Sequence, residues 1–308
     1  MPPLRRSAVR ASRATDMKPA PFDYVSAETV AHAVEALAAA SGDGKVIAGG
    51  QSLMPMINFR MVRPSVLVDI NRIAGLDRIE DRGDRFHIGA LVRHRMTASD
   101  PAIARHVPVL HEAMKNVAHL TVRNRGTYCG SVCHADPAAE LPMMTLLLNG
   151  TVHIASPSGE RTLPAREFLL SSLTTALQPD ELVTGIAIDK LPANTGWGFE
   201  EFARRHGDYA LAAVVATVER RQGRAKNVRV AVMGVGDTAM RLPAVEAALE
   251  GSEMDTPVIA EAVARLREDI EPNSDLNGSA AYRRHLAGVL AGRVLKAAWE
   301  RAEEEPAA

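Results

Sequence analysis

A short apolar run that leads directly into a pair of glycines is the feature that most constrains this chain. The segment KVIAGGQS, residues 45–52, predicts a strand that ends at Gly49 and Gly50, with a helix beginning near Ser52. Glycine lets backbone N–H groups approach phosphate oxygens without a clash from Cβ, and the Ser52 hydroxyl adds another donor. The loop is therefore suited to a phosphate-bearing cofactor, although Gly-Gly-x-Ser by itself is also typical of a simple tight turn.

A second loop of similar chemistry lies at residues 127–131, TYCGS, directly after VRNRG. Two hydroxyl residues flank Gly130 there, so backbone and side-chain donors could together surround a pyrophosphate. Just downstream, Asp136 precedes Pro137, a pattern that predicts a helix N-cap at Asp136. His134, Asp136 and Glu140 do not have a spacing that requires a metal, and we predict none.

Two later segments also contain glycines. RRHGDYA, residues 204–210, has residue types that suit a loop packing an aromatic ring on a flat ring system, but they equally suit a solvated polar turn. Gly234-Val235-Gly236 follows a strand-like run. No acidic residue follows about twenty residues on at the end of a second obvious strand, as a Rossmann dinucleotide site needs, so we interpret this segment as a strand and a turn.

The apolar periodicity indicates a mixture of helices and strands without a regular alternation. Val30, Val34 and Leu37 recur at helical spacing after Ser26, which we predict to be the N-cap, and Gly42 and Gly44 follow. Further strands are predicted at residues 65–73, 86–92, 151–156, 181–188 and 228–236, and further helices at 97–115, 142–150, 243–250, 256–269 and 282–300. This arrangement predicts an α+β fold, with a domain boundary near residues 192–196.

Composition excludes several classes of partner and cofactor. The formal net charge is 36 − 37 = −1, which does not favour a nucleic acid or an anionic membrane surface, and no apolar run is long enough to span a membrane. Cys129 and Cys133 are the only cysteines, so a disulfide scaffold is not expected. We expect the protein to be located in a reducing cytoplasm. Two thiols cannot hold an iron–sulfur cluster, which takes four ligands.

Taken in order, three segments resemble one known family. AGGQSLMPMINFRMVRPSVLVDI, VRNRGTYCGSVCHADPAAELP and FARRHGDYALA, at these separations, are similar to the medium FAD-binding subunits of the carbon monoxide dehydrogenase and xanthine dehydrogenase family, the molybdenum hydroxylases. The resemblance runs from about residue 17 to about residue 295, nearly the whole chain. Each motif is weak alone, whereas three in series with a matching length are specific.

The resemblance implies a two-lobed FAD-binding domain of the vanillyl-alcohol-oxidase (PCMH) type, followed by a C-terminal α+β domain. We expect the FAD-binding domain at residues 17–191, with lobes at about 17–75 and 76–191, and the C-terminal domain at 192–300. Residues 1–16 lack the apolar region of a signal peptide, and we interpret them as a disordered tail or as sequence upstream of a start at Met17.

The resemblance also implies that both loops wrap the FAD pyrophosphate, that Asp136 contacts the cofactor, and that Tyr209 stacks near the isoalloxazine. Leu182 is expected close to the ring or the adenine. The expected FAD-binding residues are Ala48, Gly49, Gly50, Gln51, Ser52, Leu53, Thr127, Cys129, Gly130, Ser131, Asp136, Leu182 and Tyr209. The family commonly has two adjacent glycines in the second loop, where this chain has Cys129-Gly130. A positive φ at residue 129 would strain the backbone by about 1–3 kcal/mol.

By resemblance, the chain relays electrons and carries no substrate-converting residue of its own. A small subunit with [2Fe-2S] clusters would supply the electrons, a large molybdenum-cofactor subunit would hydroxylate the substrate, and the complex would be a dimer of heterotrimers. Two alternatives stay open. One is a self-sufficient flavin-dependent oxidoreductase of the same fold, and the other is a scaffold subunit that has lost its flavin.

Overall fold

A parallel three-stranded sheet forms the N-terminal part of the computed structural model, which describes residues 18–304; the tail predicted at residues 1–16 lies outside them. The strand order is β1-β3-β2, and Ile47 at the end of β2 is in register with Asp69 at the end of β3. The residues that follow these two strands therefore meet at one edge of the sheet. The elements are β1 (Asp23–Ser26), α1 (Val30–Ala39), β2 (Gly44–Ile47), α2 (Leu53–Asn58) and β3 (Val66–Asp69).

The predicted cap of the first helix was wrong by three residues. Ser26 is the last residue of β1, where it pairs with Asp69, so its backbone is extended and committed to the sheet. Thr29 caps α1 instead, because its hydroxyl accepts a hydrogen bond from the N–H of His32 at 3.1 Å. The helix ends at Ala39, and Gly42, with φ of +97°, makes the turn into β2.

A five-stranded antiparallel sheet with the order β4-β5-β10-β6-β7 forms the second part, and seven short helices lie in the connections between its strands. The strands are β4 (Ile79–Asp81), β5 (Arg85–Gly89), β6 (Thr151–Ser156), β7 (Gly159–Pro164) and β10 (Leu182–Asp189), with a small separate pair, β8 (Leu169–Ser171) and β9 (Thr174–Thr175). The helices are α3 (His94–Ser99), α4 (Pro101–His106), α5 (Pro108–Ala113), α6 (Leu120–Arg123), α7 (Tyr128–His134), α8 (Glu140–Leu147) and α9 (Ala165–Phe168).

Three helix predictions in this part need correction. The single helix expected over residues 97–115 is broken, because Pro101 and Pro108 each begin a new helix. The helix expected from residue 142 begins two residues earlier, at Glu140. Asp136 does not cap it: its side chain accepts from the N–H of Ala138 at 2.8 Å in a local turn, and Ala139 takes the cap position.

The third part is a four-stranded antiparallel sheet, β11-β12-β13-β14, whose central strands are buried on both faces. On β12, Ala213 and Val215 face the core of the first two parts, while Val214 and Val218 face a second core under the last helices. Burial on both sides explains the continuous apolar run at residues 211–219, which has no alternating pattern. The strands are β11 (Gly196–Phe202), β12 (Ala212–Arg221), β13 (Arg224–Met233) and β14 (Met240–Arg241).

Three helices close the second core: α10 (Pro243–Leu249), α11 (Thr256–Asp269) and α12 (Ala280–Arg301). The helices predicted at residues 243–250, 256–269 and 282–300 are thus confirmed. A strand overlaps each predicted strand segment, but β3 ends at Asp69 and β5 at Gly89, before the predicted ends at residues 73 and 92, and β13 runs over Arg224–Met233. The mixture of separate sheets with helices packed on them confirms the predicted α+β class.

The third sheet is joined to the second by ionic contacts around Asp189, at the end of β10. Its carboxylate lies 3.1 Å from Arg85 and 3.5 Å from Arg229 of β13, and it accepts a hydrogen bond from Asn149 at 2.7 Å. Replacing Asp189 by alanine should lower the free energy of unfolding by about 1–3 kcal/mol, because two half-buried arginines lose their counter-ion. Urea unfolding measures the change. Glu271→Ala, at an exposed position with no ion pair among residues 18–304, is the control and should have little effect. Equal stability of the two variants would contradict the prediction.

Candidate functional site

The first glycine loop presents a row of unused backbone donors. No described residue accepts a hydrogen bond from the N–H groups of Gly49 to Leu53, whereas the N–H of Met54 already donates to the carbonyl of Gly50 at 3.0 Å. Ser52 stands at the N-cap of α2, but its hydroxyl makes no capping hydrogen bond. Gly50 has φ of +69°, which glycine adopts at little cost. Consecutive free N–H groups and a free hydroxyl at a helix start form a cradle for an anion.

The two loops predicted from the sequence lie against each other. A Cβ at residue 49 would overlap the carbonyl oxygen of Arg125 and would lie 2.7 Å from Gly126 Cα. Gly126 is itself confined, because its own Cβ would lie 2.9 Å from the imidazole of His94. His94 in turn holds the second loop, with Nε2 2.9 Å from the carbonyl oxygen of Thr127. Loops about 75 residues apart in the sequence therefore meet at one place in the fold.

The second loop is the beginning of α7 rather than an irregular loop. Thr127 is its N-cap, and the Thr127 hydroxyl accepts a hydrogen bond from the N–H of Gly130 at 3.1 Å. Only 2% of Thr127 is exposed, while Gly130 is open to solvent and Ser131 is partly so. The N–H of Cys129 has no acceptor among the described residues. The exposed side of this turn thus offers backbone donors and the Ser131 hydroxyl.

Cys129 fits the helical turn without strain. It lies inside α7, and its φ is not among the positive values of the described residues. Its side chain points into the protein, where Sγ lies 3.5 Å from the carbonyl oxygen of Ile88, and burial raises the pKa of the thiol well above its ordinary value. Cysteine in place of the family's usual glycine therefore leaves the backbone of this turn free of the strain considered above.

The third predicted segment packs against the residues that precede the second loop. Gly207 has φ of +86°, and a Cβ there would lie 2.7 Å from the imidazole of His119. Arg204 anchors the segment on the other side by donating to the carbonyl oxygens of Leu276 and Asn277, at 3.3 and 2.8 Å. Tyr209 follows with 63% of its surface exposed. The structure thus brings all three motif segments to one region.

Two carboxyl groups, those of Asp136 and Glu140, lie close to Tyr209, and Glu201 lies close to Glu140. Desolvation raises the pKa of the Tyr209 hydroxyl even though much of the ring is open, and the carboxylates of Asp136 and Glu140 raise it further. Burial raises the pKa of Glu140 to about 7, and Asp136 adds to this effect while Arg123 opposes it. Burial and the charge of Glu140 raise the pKa of Glu201 to about 8. This end of the site therefore holds carboxyl groups that keep their protons near neutral pH.

Glu140 and Glu201 were not among the predicted site residues. Glu140 is the first residue of α8 and is 9% exposed. Glu201 lies on β11, on the same face as Trp197 and Phe199, which pack against the core of the first two parts. One carboxyl oxygen of Glu201 is buried without a hydrogen-bond partner among the described residues. Strand alternation on β11 was the available signal, because it places Glu201 on the inward face.

Two predicted residues are placed differently from the rest. Leu182 begins β10, pairs with Ala155 and is 2% exposed, so its side chain belongs to the core and does not line an open surface. Gln51 is exposed, and its amide nitrogen donates to the carbonyl of Gly49 at 3.1 Å, which places its side chain on the loop itself. Ala48 and Leu53 lie half-buried at the two ends of that loop.

Residues 18–304 contain no group of three or more histidine, cysteine, aspartate or glutamate side chains that could hold a metal ion. Within the same range, no helix has the length and apolar character needed to cross a membrane.

Comparison with known proteins agrees with this geometry. Residues 20–191 match the family described as the FAD binding domain in molybdopterin dehydrogenase, and residues 197–298 match the CO dehydrogenase flavoprotein C-terminal domain. The chain is 43% identical to the 6-hydroxypseudooxynicotine dehydrogenase complex subunit alpha of Paenarthrobacter nicotinovorans, covering 93% of this chain and 97% of that one. It is 39% identical to the nicotine 6-hydroxylase medium subunit of the same organism, covering 91% and 98%.

A solved structure is also similar to this chain over nearly its whole length. The carbon monoxide dehydrogenase of Hydrogenophaga pseudoflava contains a chain that superposes with a TM-score of 0.90 at 35% identity, covering 92% of this chain and 99% of that one. The unused N–H groups, the close approach of the two loops and these matches all agree with the cofactor predicted from the sequence. The chain therefore belongs to the family of FAD-binding medium subunits of molybdenum hydroxylases, an oxidoreductase family, and its cofactor is FAD.

Proposed function

We propose that this chain is the electron-relay subunit of a three-component complex. A small subunit with [2Fe-2S] clusters would deliver electrons to its FAD, and a large molybdenum-cofactor subunit would hydroxylate the substrate. One observation carries this proposal: the first glycine loop presents unused backbone donors suited to the FAD pyrophosphate, while the chain has only two cysteines, too few for a cluster. Electrons must then come from another chain. By resemblance, we propose a dimer of heterotrimers.

The residues divide between binding the phosphates and surrounding the ring. The free N–H groups from Gly49 to Leu53, with the Ser52 hydroxyl, would neutralise the pyrophosphate from one loop, and the Cys129 N–H with the Ser131 hydroxyl would do so from the other. Bound FAD supplies a carrier that accepts electrons from one partner and donates them to another. Tyr209 would cover the ring system, with Asp136 and the buried Glu140 beside it.

Three predicted residues would act by shaping the site. Thr127 uses its hydroxyl to cap α7, Cys129 is buried beneath the turn, and Leu182 is buried in the core at the start of β10. Only their backbone atoms would be available to FAD. Direct side-chain contacts are therefore proposed for Ser52, Ser131, Asp136 and Tyr209, together with Glu140.

The two alternative functions are less well supported. A self-sufficient flavoenzyme would need its own substrate site. The motif segments instead contribute backbone donors, which are suited to holding a cofactor. A scaffold without flavin has no reason to keep Gly49, where any side chain would overlap the neighbouring loop, or the open donors beside it.

The relatives suggest a class of substrate for the complex as a whole. The two curated relatives described above are named for the oxidation of nicotine and a nicotine derivative, compounds that contain a pyridine ring. We therefore propose that the molybdenum subunit paired with this chain hydroxylates an N-heterocyclic compound.

Purification of the native complex tests the proposed function. We expect the chain to carry FAD and to elute with two partners. The larger partner should contain molybdenum and the smaller one iron. The isolated chain should be yellow and should oxidise no N-heterocyclic compound. Turnover of such a compound by the isolated chain with NAD(P)⁺ would support the self-sufficient enzyme instead, and a colourless chain that takes up no FAD would support the scaffold.

A further inference from the structure

Asn71 occupies a central position in a polar network at the edge where β2 and β3 end. Its side-chain nitrogen donates to the carbonyl oxygen of Ala48 at 2.9 Å and to the carboxylate of Asp69 at 2.6 Å. Its side-chain oxygen accepts a hydrogen bond from Arg93 at 2.5 Å. Although Asn71 is exposed, both ends of its amide are thus used by protein partners, and one of these partners is the first residue of the FAD loop.

Arg93 continues this network to the second loop. A second nitrogen of its guanidinium donates to the carbonyl oxygen of Arg125, the residue before Gly126. Arg93 also forms an isolated antiparallel bridge with Thr127, the N-cap of α7. Two side chains, Asn71 and Arg93, therefore connect the carbonyl that precedes Gly49 with the carbonyl that precedes Gly126.

The orientation of the Asn71 amide is determined by its neighbours. Asp69 accepts hydrogen bonds from the Asn71 backbone N–H at 2.8 Å and from its side-chain nitrogen, and the hydroxyl of Tyr24 donates to the other carboxyl oxygen. Rotating the amide by half a turn would place its oxygen against the Asp69 carboxylate and its nitrogen against the Arg93 cation. Only one orientation therefore satisfies all partners.

This contact also determines the direction of an N–H group in the cradle. In a trans peptide, the C=O of residue 48 and the N–H of residue 49 point in opposite directions. Holding the Ala48 carbonyl toward Asn71 therefore turns the Gly49 N–H away from Asn71, where no described residue accepts its hydrogen bond.

We propose that Asn71 and Arg93 form a positioning brace that sets the separation of the two FAD loops and the direction of the Gly49 N–H. The proposal rests on the proposed function in one respect, that these two loops hold the FAD pyrophosphate. The brace contacts the loops through their backbone carbonyl oxygens, so we assign its two residues a positioning role. Its loss should weaken FAD binding and leave the fold intact, because the brace residues lie outside both hydrophobic cores.

The test compares FAD release from four variants of the full chain: Asn71→Ala, Asn71→Asp, Arg93→Lys, and the double variant Asn71→Ala with Arg93→Lys. Each single change should raise the FAD dissociation constant about tenfold, as expected for losing a hydrogen bond to a charged or orienting group. The double variant should have an FAD dissociation constant no higher than that of the weaker-binding single variant, because both changes break the same connection. Asn71→Asp keeps the size and the acceptor for Arg93 but loses the donor to Ala48, so it should also be weakened.

The control is Asn273→Ala, which removes another exposed amide, one that donates to Asp237 at 3.0 Å and not to a residue of either FAD loop. It should release FAD like the wild type. The thermal unfolding midpoint of each apoprotein is measured beside the dissociation constant, and the brace predicts that only the latter changes. Unchanged FAD affinity in the Asn71 variants, or effects that multiply in the double variant, would overturn the brace. If Gly49→Ala also kept FAD, the proposed location of the site would be wrong as well.

Discussion

Alanine at position 49 is expected to leave the protein folded and without FAD. The added Cβ would overlap the Arg125 carbonyl oxygen and would lie 2.7 Å from Gly126 Cα. Both are backbone atoms, so no side chain can rotate away to relieve the overlap, and the two loops must separate. Because both loops contribute donors to the same anion, this separation should weaken FAD binding by at least about 100-fold, or about 2.7 kcal/mol.

FAD retention after gel filtration and the dissociation constant from flavin fluorescence measure this effect. Gly83→Ala is the matched control: Gly83 has φ of +82°, yet a Cβ there meets nothing within 4 Å, so it adds backbone strain without any overlap. It should keep its FAD. A Gly49→Ala protein that binds FAD as tightly as the Gly83→Ala protein would show that the close approach of the loops is irrelevant to the cofactor.

The loops could be predicted from the sequence because each is a local pattern. A strand followed by glycines, or a threonine three residues before a glycine, can be recognised from a few neighbouring residues. What joins the segments is not local. The contacts of Gly49 with Arg125 and of Gly207 with His119 depend on how three sheets and their connecting helices pack, and no spacing along the chain encodes these distances. Only the resemblance to a known family linked the segments before the structure did.

The helix boundaries were mispredicted for a related reason. Ser26 and Asp136 are good caps by residue type, but Ser26 is paired in a sheet and Asp136 folds back on Ala138. The side-chain chemistry was available in both cases, and tertiary pairing decided whether a helix began there. Asn71 is a comparable case, because nothing in VLVDINRI distinguishes a residue that bridges two loops from a polar residue at the end of a strand.

Glu140 and Glu201 show the same limit for ionisable groups. Each is an ordinary charged residue in the sequence, and 61 positions separate them. The fold places one at the start of α8 and the other on the inward face of β11, where burial keeps both protonated at a pH at which a surface glutamate is charged. Deprotonating either residue at higher pH creates a buried charge, which destabilises the folded state.

The apoprotein is therefore expected to lose stability as the pH rises from about 5 to about 8. Both glutamates titrate near 4.5 when unfolded, and in the folded protein the pKa of Glu140 is about 7 and that of Glu201 about 8. Between these values the folded state binds more protons than the unfolded state, so the free energy of unfolding falls with increasing pH. The stabilisation is fully present below pH 4.5 and is lost above pH 8. Glu201→Gln removes one of the two titrations, so its stability relative to wild type should increase from pH 6 to pH 9, by on the order of 2 kcal/mol.

Urea unfolding of the apoprotein at pH 6 and pH 9 measures both differences. Glu200→Gln is the control, because Glu200 is the next residue of the same strand but points to the other face, where its carboxylate lies 3.5 Å from Arg293. That substitution should not gain stability at pH 9 relative to pH 6. If Glu201→Gln instead lost the same free energy at both pH values, Glu201 would be a charged group that the folded state stabilises. Glu140 would then be the only one of the two glutamates with a raised pKa, and the fall in stability with pH would arise from Glu140 and not from Glu201.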